Sequence, residues 1–328
     1  MGEFELIKTY FQTPDLEGSS GHGVVLGVGD DCALVQPTPG QVLAVTTDMM
    51  VCGVHFFSDD APYDLGHKLL AVNLSDLAAM GAVPRWIVLN LALPTVDEVW
   101  LAAFAQGLLA TAQRFAVRLV GGDTVRGELA FGLTAMGEVP PGKALRRAGA
   151  RVGDLICVSG VPGEAAVGLA YRQAHRLGKH PPLPEAFAAQ ALARLQRPEP
   201  RVALGLALRG MASSAVDISD GLAQDLGHIL AASAGVGRAL GACLTLADFP
   251  SSPLLASLEP SLAWQYQLAG GDDYELLFTL PPELAHSINA LPCDVHVIGR
   301  VEAEPGLRVL TPEGSPFVLQ RAGHDHFA

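Results

Sequence analysis

The sequence lacks several features that mark common classes of protein. Its five cysteines are widely spaced and include no C-x-x-C pair, which argues against both a zinc site and a disulfide framework. Its longest uncharged apolar stretch, around residues 99–113, falls short of the roughly 20 residues that a membrane-spanning helix needs. The opening segment MGEFELIKTYF has no apolar core of the signal-peptide type. These absences favour a cytoplasmic protein that is not anchored in a membrane.

Basic residues are also scarce. The chain has 21 Lys and Arg residues against 34 Asp and Glu residues, which gives a net charge of −13. Such a charge repels phosphate backbones and anionic lipid surfaces, so we expect no nucleic-acid partner and no membrane partner. An anionic substrate would need metal ions or a local basic patch in order to bind.

The familiar nucleotide-binding and hydrolase motifs are missing too. There is no G-x-x-x-x-G-K-[ST] loop, no G-x-G-x-x-G opening a helix, and no pair of H-R-D and D-F-G motifs. The absence of G-x-S-x-G, together with cysteines in apolar surroundings, gives no support to covalent hydrolase chemistry. If the protein handles phosphate, it does so by another arrangement of residues.

The composition instead describes a well-buried globular protein. Of its 328 residues, 49% are hydrophobic and only 17% are charged, and this length predicts two domains. Short strand-like runs alternate with helix-like runs, which indicates a mixed α/β fold. The Pro/Gly-rich segment PPGKALRRAGARVGD is the predicted junction, so we place the domains at 1–150 and 151–328.

Aspartates recur behind small residues, next to hydrophobic stretches. In VGGDTVRG the pattern predicts a glycine-lined turn that carries Asp123. Singly, Asp123 could be an ordinary turn residue, Asp76 could lie on a solvent-exposed helix face, and Asp217 with Asp220 could cap a helix. As a set, in a chain with excess acid, they favour a shared cation site. Because the chain offers oxygen ligands without clustered Cys or His, the cation is predicted to be Mg²⁺, with phosphate oxygens as further ligands.

Taken together and in order, these motifs resemble the thiamine-monophosphate kinase family of the PurM-like, or aminoimidazole-ribonucleotide-synthetase-like, superfamily. The resemblance covers nearly the whole chain. The segments that carry it are GVGDDCALV, TTDMMVCGVHF, AVNLSDLAAMGA, LVGGDTVRG, SGVPGEAAVGLA, DISDGLAQDLGHI and GGDDYELLFT.

The resemblance implies a two-domain PurM-like α/β (α+β) architecture. The N-terminal domain would form a β-barrel across a homodimer interface, and the C-terminal α/β domain would complete each active site. It also implies phosphorylation of thiamine monophosphate to thiamine diphosphate, with ATP as co-substrate and several Mg²⁺ ions. Because the acceptor is already a phosphate oxygen, direct in-line transfer needs no catalytic base.

The resemblance also implies roles for particular residues. Asp272 stands where the family commonly has Glu, and His324 stands where it often has Tyr or Trp. The implied Mg²⁺ ligands are Asp31, Thr46, Thr47, Asp48, Asp76, Asp123, Asp217 and Asp220; the implied ATP contacts are Gly122, Asp123, Arg147 and Ser219; and the implied substrate contacts are His55, Asp272 and His324.

Other functions within and outside the superfamily stay open at this point. Selenophosphate synthetase would need a reactive Cys or selenocysteine in an N-terminal loop that here has the sequence GSSGHG. A hydrogenase-maturation relative would end in cysteine, whereas this chain ends in Ala328. An aminoimidazole ribonucleotide synthetase fits the fold but not the motifs NLSDLAAMGA and GGDDYELLFT. A non-catalytic nucleotide- or metal-binding regulator is the alternative from a different class.

Overall fold

The computed structural model describes residues 2–11, 23–179, 183–235 and 239–324. Within them, no helix combines the length and the apolar character needed to cross a bilayer. The chain divides into two compact units. The first consists of Met1–Leu77 with Ala82–Gly142, and the second of Ala78–Gly81 with Lys143–Ala328.

The first unit is built around a four-stranded sheet. The strand order is β3-β6-β4-β5, in which β4 and β5 run parallel and the other neighbours antiparallel. A separate pair, β1 and β2, runs antiparallel. The elements are α1 (Glu3–Tyr10), β1 (Val24–Leu26), β2 (Leu34–Val35), β3 (Val42–Val51), α2 (Pro62–Ala79), β4 (Val83–Leu93), α3 (Glu98–Arg114), β5 (Arg118–Arg126) and β6 (Ala130–Val139).

The start of α3 and the end of α2 are explained by residues with recognisable capping roles. Helix α3 starts after Asp97, whose carboxylate accepts hydrogen bonds from the backbone N–H groups of Val99 and Trp100 at 3.0 and 3.1 Å. Helix α2 ends just before Gly81, which has a φ of +61°. The α3 ring of Phe104 packs on Phe131 of β6 with ring centroids 4.9 Å apart, so α3 covers one face of the sheet.

The second unit contains a six-stranded mixed sheet in the order β12-β9-β11-β7-β10-β8. In this sheet β12 and β9 pair in parallel, and the other described neighbours pair antiparallel. The elements are β7 (Leu155–Ser159), α4 (Glu164–Arg176), α5 (Ala188–Gln196), α6 (Val202–Ala207), β8 (Ser214–Asp217), α7 (Leu222–Ser233), β9 (Gly241–Thr245), α8 (Pro253–Ala256), α9 (Pro260–Ala269), β10 (Leu276–Leu280), β11 (Val295–Glu302) and β12 (Gly306–Leu310), with short 3₁₀ helices at Glu185–Phe187, Leu246–Asp248 and Pro282–Ala290.

Two apolar clusters form the core of the second unit. In one, helix α7 contributes Leu222, Leu226 and Ile229 to the residues that pack on the sheet. The other joins α4, α5, α8 and α9. The loops that connect β8 to α7 and α9 to β10 lie beside each other, because the backbone N–H groups of Asp272 and Tyr274 donate to the carbonyls of Ser219 and Ile218, both at 2.9 Å.

The observed architecture is a mixed α/β fold, as the sequence predicts. Within the described residues, the sheet of the first unit is open, with β3 and β5 at its two edges, and does not close into a barrel in a single chain. The barrel implied by the family resemblance would require the strands of a second copy. It stays a prediction, as does the division into domains at residue 150.

Candidate active site

Strand β3 and helix α2 bring three predicted metal ligands together. Burial raises the pKa of Asp48 to about 6, and the negative charge of Asp76 adds to that shift, so the two carboxylates are near each other. The hydroxyl of Thr46 donates a hydrogen bond to Asp76 Oδ2. Thr46 and Asp48 are two residues apart on β3 and therefore point to the same face of the sheet.

This group fits a hard cation. A pair of carboxylates that repel each other in a partly buried position is stabilised when a divalent ion neutralises them, and a threonine hydroxyl is a further oxygen donor. Within the described ranges, no three acidic, histidine or cysteine side chains are arranged to hold a metal ion. Carboxylate and hydroxyl oxygens are hard donors of the kind that Mg²⁺ binds.

Thr47 points the other way. Its hydroxyl donates to the Leu133 carbonyl at 3.1 Å and accepts from the Thr134 hydroxyl at 3.2 Å, both on the neighbouring strand β6. Successive side chains of a strand lie on opposite faces, so the structure does not bring this hydroxyl together with Asp48 and Asp76. Its predicted role as a metal ligand stays a prediction.

A cavity of about 380 Å³ in the first unit contains two other predicted ligands, Asp31 and Asp123. Helix α1 contributes Ile7 to the cavity wall, Phe11 follows that helix, and strand β5 contributes Gly122. The cavity is therefore apolar where α1 meets it and acidic around Asp31 and Asp123. The complete lining is Ile7, Phe11, Val28, Gly29, Asp30, Asp31, Cys32, Ala33, Leu89, Leu119, Val120, Gly121, Gly122, Asp123 and Thr124.

The segment VGGDTVRG is not the turn that the sequence predicts. Its residues up to Arg126 belong to strand β5, which pairs in parallel with β4, and Asp123 lies opposite Asn90. The prediction was wrong because a glycine pair read in isolation indicates a turn. Here Gly122 has a different role. A Cβ at this position would lie 2.0 Å from the Leu89 carbonyl oxygen, so only glycine allows the two strands to approach.

His55 lies in the turn that follows β3. Its Nδ1 accepts a hydrogen bond from the Val51 backbone N–H at 3.1 Å, and its own N–H donates to the Val51 carbonyl at 2.9 Å. A ring nitrogen that accepts from a backbone N–H carries no proton, so the neutral ring holds its proton on Nε2. The ring is thereby oriented, which suits the predicted role of His55 as a substrate contact.

In the second unit, the last residue of β8 is Asp217, and the loop after β8 carries Ser219 and Asp220. Asp217 is buried at the end of β8. The alternative that Asp217 and Asp220 cap the next helix is wrong, because the residue before α7 is Gly221 and no side chain caps the helix from that position. Instead, Asp225 Oδ2, inside the first turn, accepts from the backbone N–H groups of Gly221 and Asp220 at 3.1 and 3.3 Å.

Two of the remaining predicted residues of this unit, Asp272 and His324, lie beside the same loop. Asp272 is joined to Ser219 by a backbone hydrogen bond, and the His324 N–H donates to the Asp220 carbonyl at 2.9 Å. Arg147 lies near α7, since its carbonyl accepts from the Ser233 hydroxyl at 3.3 Å. Its charge opposes the rise in the pKa of Asp225, which reaches about 6 mainly because of burial. The HDH segment continues beyond His324 into residues outside the described ranges.

Sequence reasoning missed the residues that hold this loop cluster in place. Asp273 and Glu275 are buried on either side of Tyr274. Asp273 Oδ2 accepts from the Gly163 N–H at 2.7 Å, and Glu275 is bound by two arginines, Arg194 and Arg201. The segment GGDDYELLFT contains three acidic residues within four positions. Their roles differ by burial: Asp272 is half-buried, whereas Asp273 and Glu275 are buried. The sequence does not reveal this difference, because the backbone of this turn is not a regular strand.

Known proteins match this chain along its whole length. Residues 29–139 match the family described as AIR synthase related protein, N-terminal domain. Over 333 residues the chain is 45% identical to thiamine-monophosphate kinase of Escherichia coli strain K12, and the alignment covers 100% of this chain and 98% of the relative. The chain belongs to the thiamine-monophosphate kinase family. The family member from Haemophilus influenzae strain Rd is 43% identical over 339 residues, with the same coverage.

Solved structures of thiamine-monophosphate kinases share the fold. The crystal structure of the enzyme from Stenotrophomonas maltophilia K279a has a TM-score of 0.81 at 41% identity, covering 91% of this chain and 93% of that one. The structure of AaThiL complexed with AMPPCP and TMP has a TM-score of 0.75 at 29% identity, covering 88% and 89%. The family resemblance predicted from the motifs is confirmed, and with it the PurM-like α/β fold.

Proposed function

We propose that this protein transfers the γ-phosphoryl group of ATP to thiamine monophosphate and releases thiamine diphosphate and ADP. The observation that carries the proposal is the full-length similarity to thiamine-monophosphate kinases, one of which has been solved with AMPPCP and TMP. The Thr46, Asp48 and Asp76 group and the acidic cavity support it, because both offer oxygen ligands where a cation would accompany phosphate. A cytoplasmic location belongs to the same proposal.

The transfer is direct. An oxygen of the acceptor phosphate attacks the γ-phosphorus, the bond from that phosphorus to the β–γ bridging oxygen breaks, and the electron pair leaves with ADP. The acceptor oxygen is already ionised at neutral pH, so no side chain has to remove a proton. What the chain must supply is the alignment of two polyanions and a means of reducing their repulsion. Mg²⁺ held by the carboxylates of Asp31, Asp48, Asp76 and Asp123 would supply positive charge that reduces the repulsion between the two substrates.

The proposed site residues fall into three groups: Mg²⁺ ligands, ATP contacts and substrate contacts. Within the first unit, Asp48, Asp76 and Thr46 form one oxygen-donor group, while Asp31 and Asp123 supply carboxylates at the cavity wall. The assigned Mg²⁺ ligands are these residues with Thr47, Asp217 and Asp220; the assigned ATP contacts are Gly122, Asp123, Arg147 and Ser219; and the assigned substrate contacts are His55, Asp272 and His324.

Exposed apolar residues on β3 support a homodimer. Leu43, Val45 and Met49 lie on one face of this edge strand with exposed fractions of 39%, 62% and 63%. A strand edge with an apolar face is seldom left open to water. We therefore assign this face to a second copy of the chain, whose strands would complete a barrel.

The purified protein, incubated with ATP, MgCl₂ and thiamine monophosphate, is expected to form equal amounts of ADP and thiamine diphosphate, measured by chromatography. ATP labelled in the γ-phosphate and supplied without thiamine monophosphate should leave no label on the protein. ADP release without thiamine diphosphate would contradict the proposed acceptor, and a labelled protein would contradict direct transfer. Nucleotide binding without turnover of any kind would favour a non-catalytic regulator.

A further inference from the structure

The turn between α9 and β10 holds two side chains in an unusual backbone. Asp272 and Tyr274 have φ values of +65° and +52°, a region that residues with a Cβ seldom occupy. Such a conformation costs free energy and persists only where the surroundings fix it. Strained residues of this kind often lie at functional sites.

Hydrogen bonds of two buried acidic residues hold this turn in place. Asp273 and Glu275 point inward and are almost fully buried. Asp273 accepts from the Gly163 N–H at 2.7 Å. Glu275 receives two hydrogen bonds of 2.6 Å from Arg201, one of 2.8 Å from Arg194 and one of 2.5 Å from the Ser159 hydroxyl. A bidentate arginine pair in a buried position holds geometry more strictly than a surface pair.

The two half-buried residues of the turn, Asp272 and Tyr274, are hydrogen-bonded to each other. The Tyr274 hydroxyl donates to Asp272 Oδ1 at 3.1 Å. The backbone N–H groups of the same two residues donate to the carbonyls of Ser219 and Ile218 at 2.9 Å, which ties the pair to the loop that carries Asp220. An aspartate side chain has few rotamers, so a hydrogen bond to one carboxylate oxygen also fixes the direction of the second oxygen.

We propose that Tyr274 is a positioning residue: its hydroxyl holds the Asp272 carboxylate in the orientation that binds a cationic or hydrogen-bond-donating part of the acceptor substrate. This inference rests on the proposed function, in which Asp272 contacts thiamine monophosphate. It explains how a side chain one methylene shorter than the family's common Glu is kept in a defined place. Tyr274 acts through Asp272 and has no part in the transfer itself.

The test is a double-mutant cycle with Tyr274→Phe, Asp272→Gly and the double variant; glycine removes the carboxylate that accepts from Tyr274 and adopts a φ of +65° without strain. Tyr274→Phe removes one oxygen atom and leaves the ring, so the packing is kept. Losing a hydrogen bond to a charged group changes an equilibrium by about 10-fold or more. We expect KM for thiamine monophosphate to rise about 10-fold, with kcat and KM for ATP within about twofold of the wild-type values. In the Asp272→Gly background, Tyr274→Phe should change KM by less than about twofold.

Tyr266→Phe, a tyrosine substitution in α9 of the same unit, is the matched control and should leave all three constants unchanged. Calorimetric titration of thiamine monophosphate without ATP should show the same loss of affinity for Tyr274→Phe, and thermal unfolding reports whether each variant is folded. An unchanged KM, or equal effects of Tyr274→Phe with and without Asp272, would overturn the inference while leaving the proposed function intact. A wild-type protein that does not phosphorylate thiamine monophosphate would contradict both.

Discussion

Substitution of Asp123 distinguishes a metal ligand from an ordinary surface residue. It is exposed in strand β5, at the wall of the cavity, and no local turn depends on it. Asp123→Asn keeps the shape of the side chain but removes the charge. If this carboxylate holds Mg²⁺ against ATP, the rate should fall by about 10²- to 10³-fold, as when one electrostatic stabiliser of a transition state is lost. Folding stability should change by less than about 0.5 kcal/mol, as for most surface substitutions.

The measurement is kcat at limiting and at high Mg²⁺ concentration, together with the melting temperature. Partial rescue by high Mg²⁺ is expected for Asp123→Asn. The exposed Asp248→Asn serves as control and should behave as wild type in every respect. If Asp123→Asn turns over at the wild-type rate when Mg²⁺ is limiting, Asp123 is not a metal ligand.

Glu138 provides a test of stability against pH. Burial of its carboxylate acts to raise its pKa, but hydrogen bonds from the backbone and side chain of Thr38, together with Arg85 at 2.9 Å, lower it below the ordinary value. A lowered pKa in the folded state contributes stability above the unfolded pKa, and this contribution is lost as the pH falls through the folded value. We expect Glu138→Gln to lower the free energy of unfolding by about 1.5–3 kcal/mol at pH 7, as for hydrogen bonds to charged groups.

Urea unfolding at several pH values measures this effect. The difference between Glu138→Gln and wild type should shrink as the pH falls below the ordinary glutamate pKa of about 4.3 and through the lower pKa of Glu138 in the folded state. Glu283→Gln, on an exposed 3₁₀ helix, is the control and should track the wild type. A difference that stays constant from pH 7 to acid would show that the charge of Glu138 contributes nothing to stability.

At the level of elements, the approach of β5 to β4 depends on one of two adjacent glycines. A Cβ at Gly122 would lie 2.0 Å from the Leu89 carbonyl oxygen, whereas a Cβ at Gly121 would meet no atom within 4 Å. Gly122→Ala must push the strands apart, and overpacking of this kind costs about 1–3 kcal/mol. Gly121→Ala should be nearly neutral and is the matched control.

Thermal and urea unfolding of the two alanine variants test this directly, and neither measurement depends on activity. Equal stabilities for Gly121→Ala and Gly122→Ala would mean that β5 can move away from β4 without cost. The parallel pairing of these strands would then not explain why the first unit contains glycine at position 122.

The elements differ in how far the sequence could predict them. Helix α2 could be predicted because its apolar periodicity is long and Gly81 ends it. The segment VRLV predicts the start of strand β5, but its continuation through Gly-Gly-Asp could not be predicted, since that segment has low strand propensity and its pairing with β4 is decided by a backbone contact distant in sequence. The same holds for the site. The acid pattern suggested a cation site, but the proximity of Asp48 and Asp76 depends on how a strand and a helix pack, which no local spacing contains.

The roles of individual ligands came from the family resemblance and not from spacing. Side-chain alternation along β3 is a physical rule that separates the Thr47 hydroxyl from Thr46 and Asp48 once the strand is known. The buried supports Asp273 and Glu275 were not foreseeable, because their partners Gly163 and Arg201 belong to elements elsewhere in the chain.

At the scale of the whole molecule, the open face of β3 predicts an assembly. Val45 is 62% exposed in the middle of this edge strand. If a second copy covers it, Val45→Glu would bury a carboxylate without a partner at the interface, at a cost of several kcal/mol for the dimer. The single chain should be barely affected, since in the isolated chain the new side chain faces water. Val318→Glu, on an 80% exposed valine of the second unit, is the control.

Light scattering at micromolar concentration is expected to give twice the chain mass of 34.2 kDa for the wild type and for Val318→Glu, and the single chain mass for Val45→Glu. Far-UV circular dichroism should be the same for all three, because the sheet of one chain is complete without its partner. An active wild-type monomer would refute the dimer altogether. A Val45→Glu protein that remains dimeric would place the interface on a different surface, since a self-complementary twofold contact buries the substituted residue of both copies and doubles the penalty.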